Sequence, residues 1–109
     1  MCRALEVLCV AETPEALAAL KRAAVSSDWE LAPGATTGED ALAQLRDERP
    51  HVVVAFGDLG GFVAAAREAF PSLRIVTDRD LPGATVVATS LEEVRAAVRG
   101  LPRPGGPVR

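Results

Sequence analysis

Hydrophobic residues in this chain follow two alternating patterns. Short valine-rich runs are separated by longer segments whose apolar positions recur every three or four residues. The first pattern is that of a buried strand, the second that of a helix packing one stripe against a core. The run Pro50-His51-Val52-Val53-Val54-Ala55-Phe56-Gly57-Asp58 has no polar alternation in its middle. It therefore reads as a central strand covered on both faces, as in parallel sheets flanked by helices. Residues 5–10 form a first strand of similar character, and residues 29–32 a shorter, more polar one suited to a sheet edge. Residues 73–77 and 84–88 complete a set of five.

Helix signals fill the gaps. Thr13-Pro14-Glu15 offers a capping hydroxyl, a proline whose missing N–H is harmless in a first turn, and an acid near the positive helix end. Leu17, Leu20 and Ala24 then recur at helical spacing. Thr37-Gly38-Glu39-Asp40 opens a second helix that buries Ala41, Leu42 and Leu45. A third runs from Phe62 to Phe70, with Phe62, Val63, Ala66 and Phe70 inward and Pro71 as its stop. Ser90-Leu91-Glu92-Glu93 matches the S-x-x-E capping pattern and starts a last helix with Val94, Ala97, Val98 and Leu101 inside.

Strand and helix thus alternate, which implies an α/β fold: a three-layer, doubly wound sheet of five mainly parallel strands with four main helices. The helix between strands 4 and 5 is missing or vestigial, because Asp78-Arg79-Asp80-Leu81-Pro82-Gly83 is too short and too rich in breakers. Extended, these residues reach about 20 Å, enough for a parallel return along one short strand; an antiparallel fifth strand is the alternative.

Length and composition add limits. At 109 residues the chain fits one domain, expected over residues 1–101, with 102–109 as a flexible Pro/Gly-rich tail. No apolar run approaches the roughly 20 residues that span a bilayer, and the start lacks a secretory pattern. A cytoplasmic protein with no membrane partner is expected. The net charge of −3 and scattered arginines argue against nucleic acid as a partner. Cys9 reads as a core residue, and neither C-x-x-C nor a His-Cys cluster is present, so no cofactor is expected. His51, the only histidine, opens a strand at the end opposite the strand carboxyl ends, and reads as structural.

The order of elements resembles the receiver domain of bacterial response regulators, a flavodoxin-like fold with strand order 2-1-3-4-5. The features that carry it are a first strand ending in an acidic turn before a Pro-initiated helix, Thr-Thr-Gly-Glu-Asp-Ala-Leu at residues 36–42, and Pro-His-Val-Val-Val-Ala-Phe at residues 50–56. The resemblance implies phosphoryl transfer onto a strand-end aspartate, with two acids holding Mg²⁺, a hydroxyl after strand 4 and a lysine after strand 5. Matched residue by residue, the acid pair falls on Ala11 and Glu12, the acceptor on Phe56, the hydroxyl on Thr77 and the lysine on Thr89.

That pocket is degenerate. Phosphoryl transfer needs a nucleophile and charges that neutralise the transition state, and Phe56 supplies no nucleophile. The chain's one lysine is Lys21, in the first helix. The expected function is that of a non-phosphorylatable pseudo-receiver, a protein-protein interaction module in bacterial signal transduction and not an enzyme. The alternative is an atypical receiver phosphorylated at Asp58, or a small-ligand or metal-binding α/β domain in which Glu12 and Asp58 are weak metal candidates. Without a fourth-position helix, strands 4 and 5 are left partly bare. Ile75, Thr77, Thr85 and Val87 are therefore the expected interface, with a protein partner or in a homodimer.

Overall fold

The computed structural model describes residues 5–27, 29–57, 61–79 and 84–99. In chain order the elements are β1 (Leu5–Val10), α1 (Pro14–Ala24), β2 (Trp29–Leu31), α2 (Gly38–Glu48), β3 (Val52–Ala55), α3 (Phe62–Ala69), β4 (Arg74–Thr77), β5 (Val86–Val87), a 3₁₀ turn (Leu91–Glu93) and α4 (Val94–Arg99). The sheet order is β2-β1-β3-β4-β5, and every pairing is parallel. The valine runs explain the layering. Successive strand side chains point to opposite faces, so Val7, Cys9, Val52, Val54 and Val76 pack with Leu20, Ala24, Val94 and Val98 on the α1/α4 side. Leu8, Val10, Val53, Ala55 and Ile75 pack with Ala41, Leu45, Phe62, Val63 and Ala66 on the α2/α3 side. All four residues of β3 are buried.

The fifth strand is shorter than its apolar run. Only Val86 and Val87 form the ladder, opposite Val76 and Thr77, and the parallel register removes the antiparallel alternative. The flanking Thr85 and Ala88 amides still donate to the carbonyls of Ile75 and Thr77, each at 2.7 Å. Part of the connection, residues 80–83, lies outside the described residues, as do Leu101 and the tail beginning at residue 102.

The caps largely follow the sequence. Thr13 and Thr37 accept from the amides of Ala16 and Asp40 at 3.0 and 3.1 Å. The pattern at Ser90 resolves differently: its side chain makes no cap bond. Glu93 Oε1 instead accepts from the Thr89 amide at 3.0 Å and lies 3.3 Å from the Thr89 hydroxyl.

The expected bare face is a second correction. Ile75 and Thr77 are fully buried, while Thr85 is exposed and Val87 is 39% exposed. Ile75 packs with Phe62, Val63 and Ala66 in the α2/α3-side core, and the Thr77 hydroxyl turns onto the Arg79 carbonyl; the adjoining strand edge is tied by Arg67 of α3. Its guanidinium donates to the Thr85 hydroxyl and to the Pro71 carbonyl, both at 2.8 Å, and the same hydroxyl accepts the Ile75 amide at 3.1 Å. A long side chain with an apolar stem thus bridges α3 to the start of β5, across the face left without a helix.

Cys9 lies next to the carboxyl end of β1 with no exposure. Burial pushes its thiol from the ordinary 9.0 up to about 12, against a smaller opposing pull from the Lys21 charge. A folded-state value raised in this way contributes stability that is complete below the ordinary value and is lost as pH climbs toward the folded one. The slope is about 1.4 kcal/mol per pH unit. The chain has no tyrosine and a single lysine, so little else titrates in that window. Urea unfolding is expected to lose about 2 kcal/mol between about pH 8 and about pH 10.5. Cys9→Ala should flatten that loss, whereas an unchanged slope in the variant would assign it elsewhere.

Candidate functional site

The carboxyl ends of β1, β3 and β4 meet above the first helix. Ala11 is buried, and its amide continues the sheet by donating to the Ala35 carbonyl at 3.1 Å. Glu12, the next residue, is exposed. Phe56 continues β3 in the same way, with its amide on the Val10 carbonyl at 2.9 Å and its ring packed against the α1-side core. Gly57 then turns the chain at φ +96°, a conformation open to glycine at little cost. A Cβ built there would stand 2.8 Å from Glu12 Cγ and Oε1, so the Glu12 side chain lies directly over the turn.

Asp78 fixes the other side. Its Oδ2 accepts the Gly57 amide at 3.1 Å, and its two oxygens take the Arg79 guanidinium at 3.0 and 3.2 Å. Burial alone would push the Asp78 carboxyl up, but the hydrogen bonds from Arg79 and Gly57 and the Arg79 charge together hold it below its ordinary range. The hydroxyl of Thr77 donates to the Arg79 carbonyl and is wholly buried.

These groups enclose a half-open cleft of about 330 Å³. Its floor is apolar, with Phe56, Leu20, Ala16, Ala19 and Leu91, and its rim carries Glu12, Asp78 and Arg79. Of the residues expected at the site, Glu12 and Phe56 are brought together here. Thr77 turns its hydroxyl onto loop backbone, and Thr89 is exposed and bonded to Glu93. Asp58 lies outside the described residues. Among the described residues no three metal-ligating side chains converge. Arg79 is the group sequence reasoning missed: its sequence neighbour Asp78 marks an acid-base pair just after a strand, and only the fold shows Asp78 reaching the Gly57 amide.

Solved structures share the fold that carries this cleft. The signal receiver domain of an HD domain-containing protein from Pseudomonas fluorescens Pf-5 matches with a TM-score of 0.72 at 18% sequence identity, over 89% of this chain and 93% of that one. A CheY-like response regulator receiver domain protein from Methanospirillum hungatei JF-1 matches with a TM-score of 0.72 at 15% identity, over 89% and 92%. This is the receiver-domain fold. The chemotaxis response regulator CheY4 of Vibrio cholerae matches at 19% identity and a TM-score of 0.69, over 89% of this chain and 97% of that one. No protein-family model and no curated protein matches the sequence.

Within the receiver frame, the position that the resemblance gives to the phosphoryl acceptor carries a half-buried aromatic ring packed against the core. The Asp78 carboxylate beside the same turn accepts from a backbone amide and a guanidinium. The Asp78 charge is met within the cleft, by the Arg79 guanidinium and the Gly57 N–H.

Proposed function

We propose that this domain is a pseudo-receiver. It acts as a protein-protein interaction module of a bacterial two-component pathway, in the cytoplasm, without phosphoryl transfer, a cofactor or enzymatic activity. The observation that carries the reading is Phe56, whose ring forms the cleft floor where a receiver's acceptor would stand. An aromatic ring has no nucleophile, and no described side chain replaces the missing acid at Ala11 or the missing lysine at Thr89.

The partner surface rests on the edge of β5. Because Ile75 and Thr77 are buried, the contact reduces to Val87, 39% exposed, with the exposed Thr85 beside it in the chain. The occupant is a second copy or another protein carrying a small apolar patch. Sedimentation velocity from micromolar to millimolar concentration is expected to show weak association that Val87→Glu abolishes. A strict monomer over that range would remove self-pairing from the proposal.

A further inference from the structure

The opposite end of the sheet, at the amino ends of β3 and β4, holds a second cleft of about 200 Å³. It is built by three segments: the end of α2, the start of β3 and the turn after α3. Leu45, Pro50, Phe70 and Leu73 give it an apolar lining, and Arg49, His51 and Ser72 supply its polar atoms.

The two nitrogenous side chains are arranged as donors. His51 is tied to β1 twice: its amide donates to the Glu6 carbonyl at 2.9 Å, and its Nδ1 accepts the Glu6 amide at 3.1 Å. With Nδ1 accepting, the ring proton is on Nε2, which remains as a donor on a ring lining the cleft. Arg49 follows α2 in the left-handed conformation, at φ 51° and ψ 56°. A side-chain-bearing residue there costs about 1–2 kcal/mol that glycine would avoid. The helix thus ends on a strained arginine at the mouth of an apolar cleft, and among the described residues its guanidinium has no hydrogen-bond or ion-pair partner. Strain kept at one position beside a cavity is a mark of a functional residue.

We propose that this cleft binds a small carboxylic acid with an apolar body. The carboxylate is taken by the Arg49 guanidinium, which matches its geometry in a two-pronged contact, and by His51 Nε2–H. The apolar body lies against Leu45, Phe70 and Leu73. The volume falls below the roughly 300–1,000 Å³ of sites for drug-sized ligands, which sets the ligand near benzoate in size. Charge complementarity selects an anion, and the apolar lining selects against inorganic ones. The site lies at the end of the sheet away from the cleft of Phe56 and Asp78, and the inference does not rest on the pseudo-receiver reading.

Amide NMR titration of the full chain tests it, with benzoate as the probe. Saturable shifts are expected at residues 45–51 and 70–74 at millimolar concentration or below. Benzyl alcohol, which keeps the ring and loses the charge, should bind at least about tenfold more weakly, equivalent to about 1.4 kcal/mol. Inorganic phosphate should be weaker by a similar factor. Arg49→Gln should lose about tenfold or more, consistent with a charge-assisted hydrogen bond. Ser72→Phe, at an exposed position on the rim, should block binding without unfolding the chain, and Arg79→Gln at the far cleft should leave it unchanged. Absence of saturation by benzoate overturns the proposal, as does equal affinity for benzyl alcohol or phosphate, or an unaltered Arg49→Gln titration.

Discussion

Phe56→Asp should destabilise the domain by about 2–4 kcal/mol at neutral pH and should not create a phosphoryl acceptor. The ring of Phe56 packs half-buried on the α1-side core and floors the cleft, and removing it forfeits about 1–2 kcal/mol, part of what a fully enclosed ring supplies. The new carboxylate would sit on an apolar floor beside Glu12, with Asp78 across the turn, so its ionised form carries a further penalty. Its folded pKa would therefore lie above the unfolded one, and the charge-related part of the loss would appear only as pH rises above about 4. Urea unfolding at about pH 7 and about pH 4.5 should show the smaller deficit at the lower pH. A variant as stable as the parent at both would mean that Phe56 does not pack as described. Activity should still be absent, because neither the acid missing at Ala11 nor the lysine missing at Thr89 is restored.

Trp29→Ala should cost about 3–5 kcal/mol, the range for large aromatic truncations in cores. Trp29 is 5% exposed although it lies on the edge strand. Its indole N–H donates to the Ala24 carbonyl at 2.7 Å, satisfying an end of α1, and the Arg99 guanidinium lies 5.6 Å from the ring centroid. One side chain therefore joins β2, the last turn of α1 and α4. Trp29→Phe keeps most of the area and leaves the Ala24 carbonyl unpaired, for an expected loss of about 1–2 kcal/mol. Far-UV circular dichroism is the measurement of choice, since the only tryptophan is the residue changed. Equal losses for the two variants would show that the hydrogen bond, and not the packed ring, dominates.

The parts of the fold readable from the sequence are those set by local chemistry. The unbroken runs around Val53 and Leu8 could only be strands buried on both faces, and Thr13-Pro14 and Thr37 could only start helices. The direction of β5 was open, because six or seven extended residues allow either sense; pairing of Val86 with Val76 decided it. Ile75 and Thr77 are buried where bare strand was expected, because Ile75 packs under α3 and Thr77 turns its hydroxyl onto loop backbone, contacts between elements that no periodicity encodes. The same limit applies to the sites. Phe56 in place of an acceptor is visible in the chain itself. The Asp78 clasp on Gly57 and the Arg49–His51 cleft join segments about twenty residues apart, and only the closed sheet brings them together.

Two acids and a base at the strand ends could be mistaken for a working pocket. The geometry argues otherwise. Asp78 accepts from Gly57 and Arg79, and Glu12 lies over a glycine turn where no group of three metal-ligating side chains converges among the described residues. An ion pair that is internal to the cleft holds the β3–α3 turn against β4 without needing an incoming anion.

The most direct test of this account is intact-mass analysis after incubation with Mg²⁺ and acetyl phosphate, on the parent chain and on Asp58→Ala. The account predicts unchanged mass for both. A phosphoryl adduct on the parent that is labile to alkali and absent from Asp58→Ala would contradict it, and would make the domain an active receiver with a displaced acceptor.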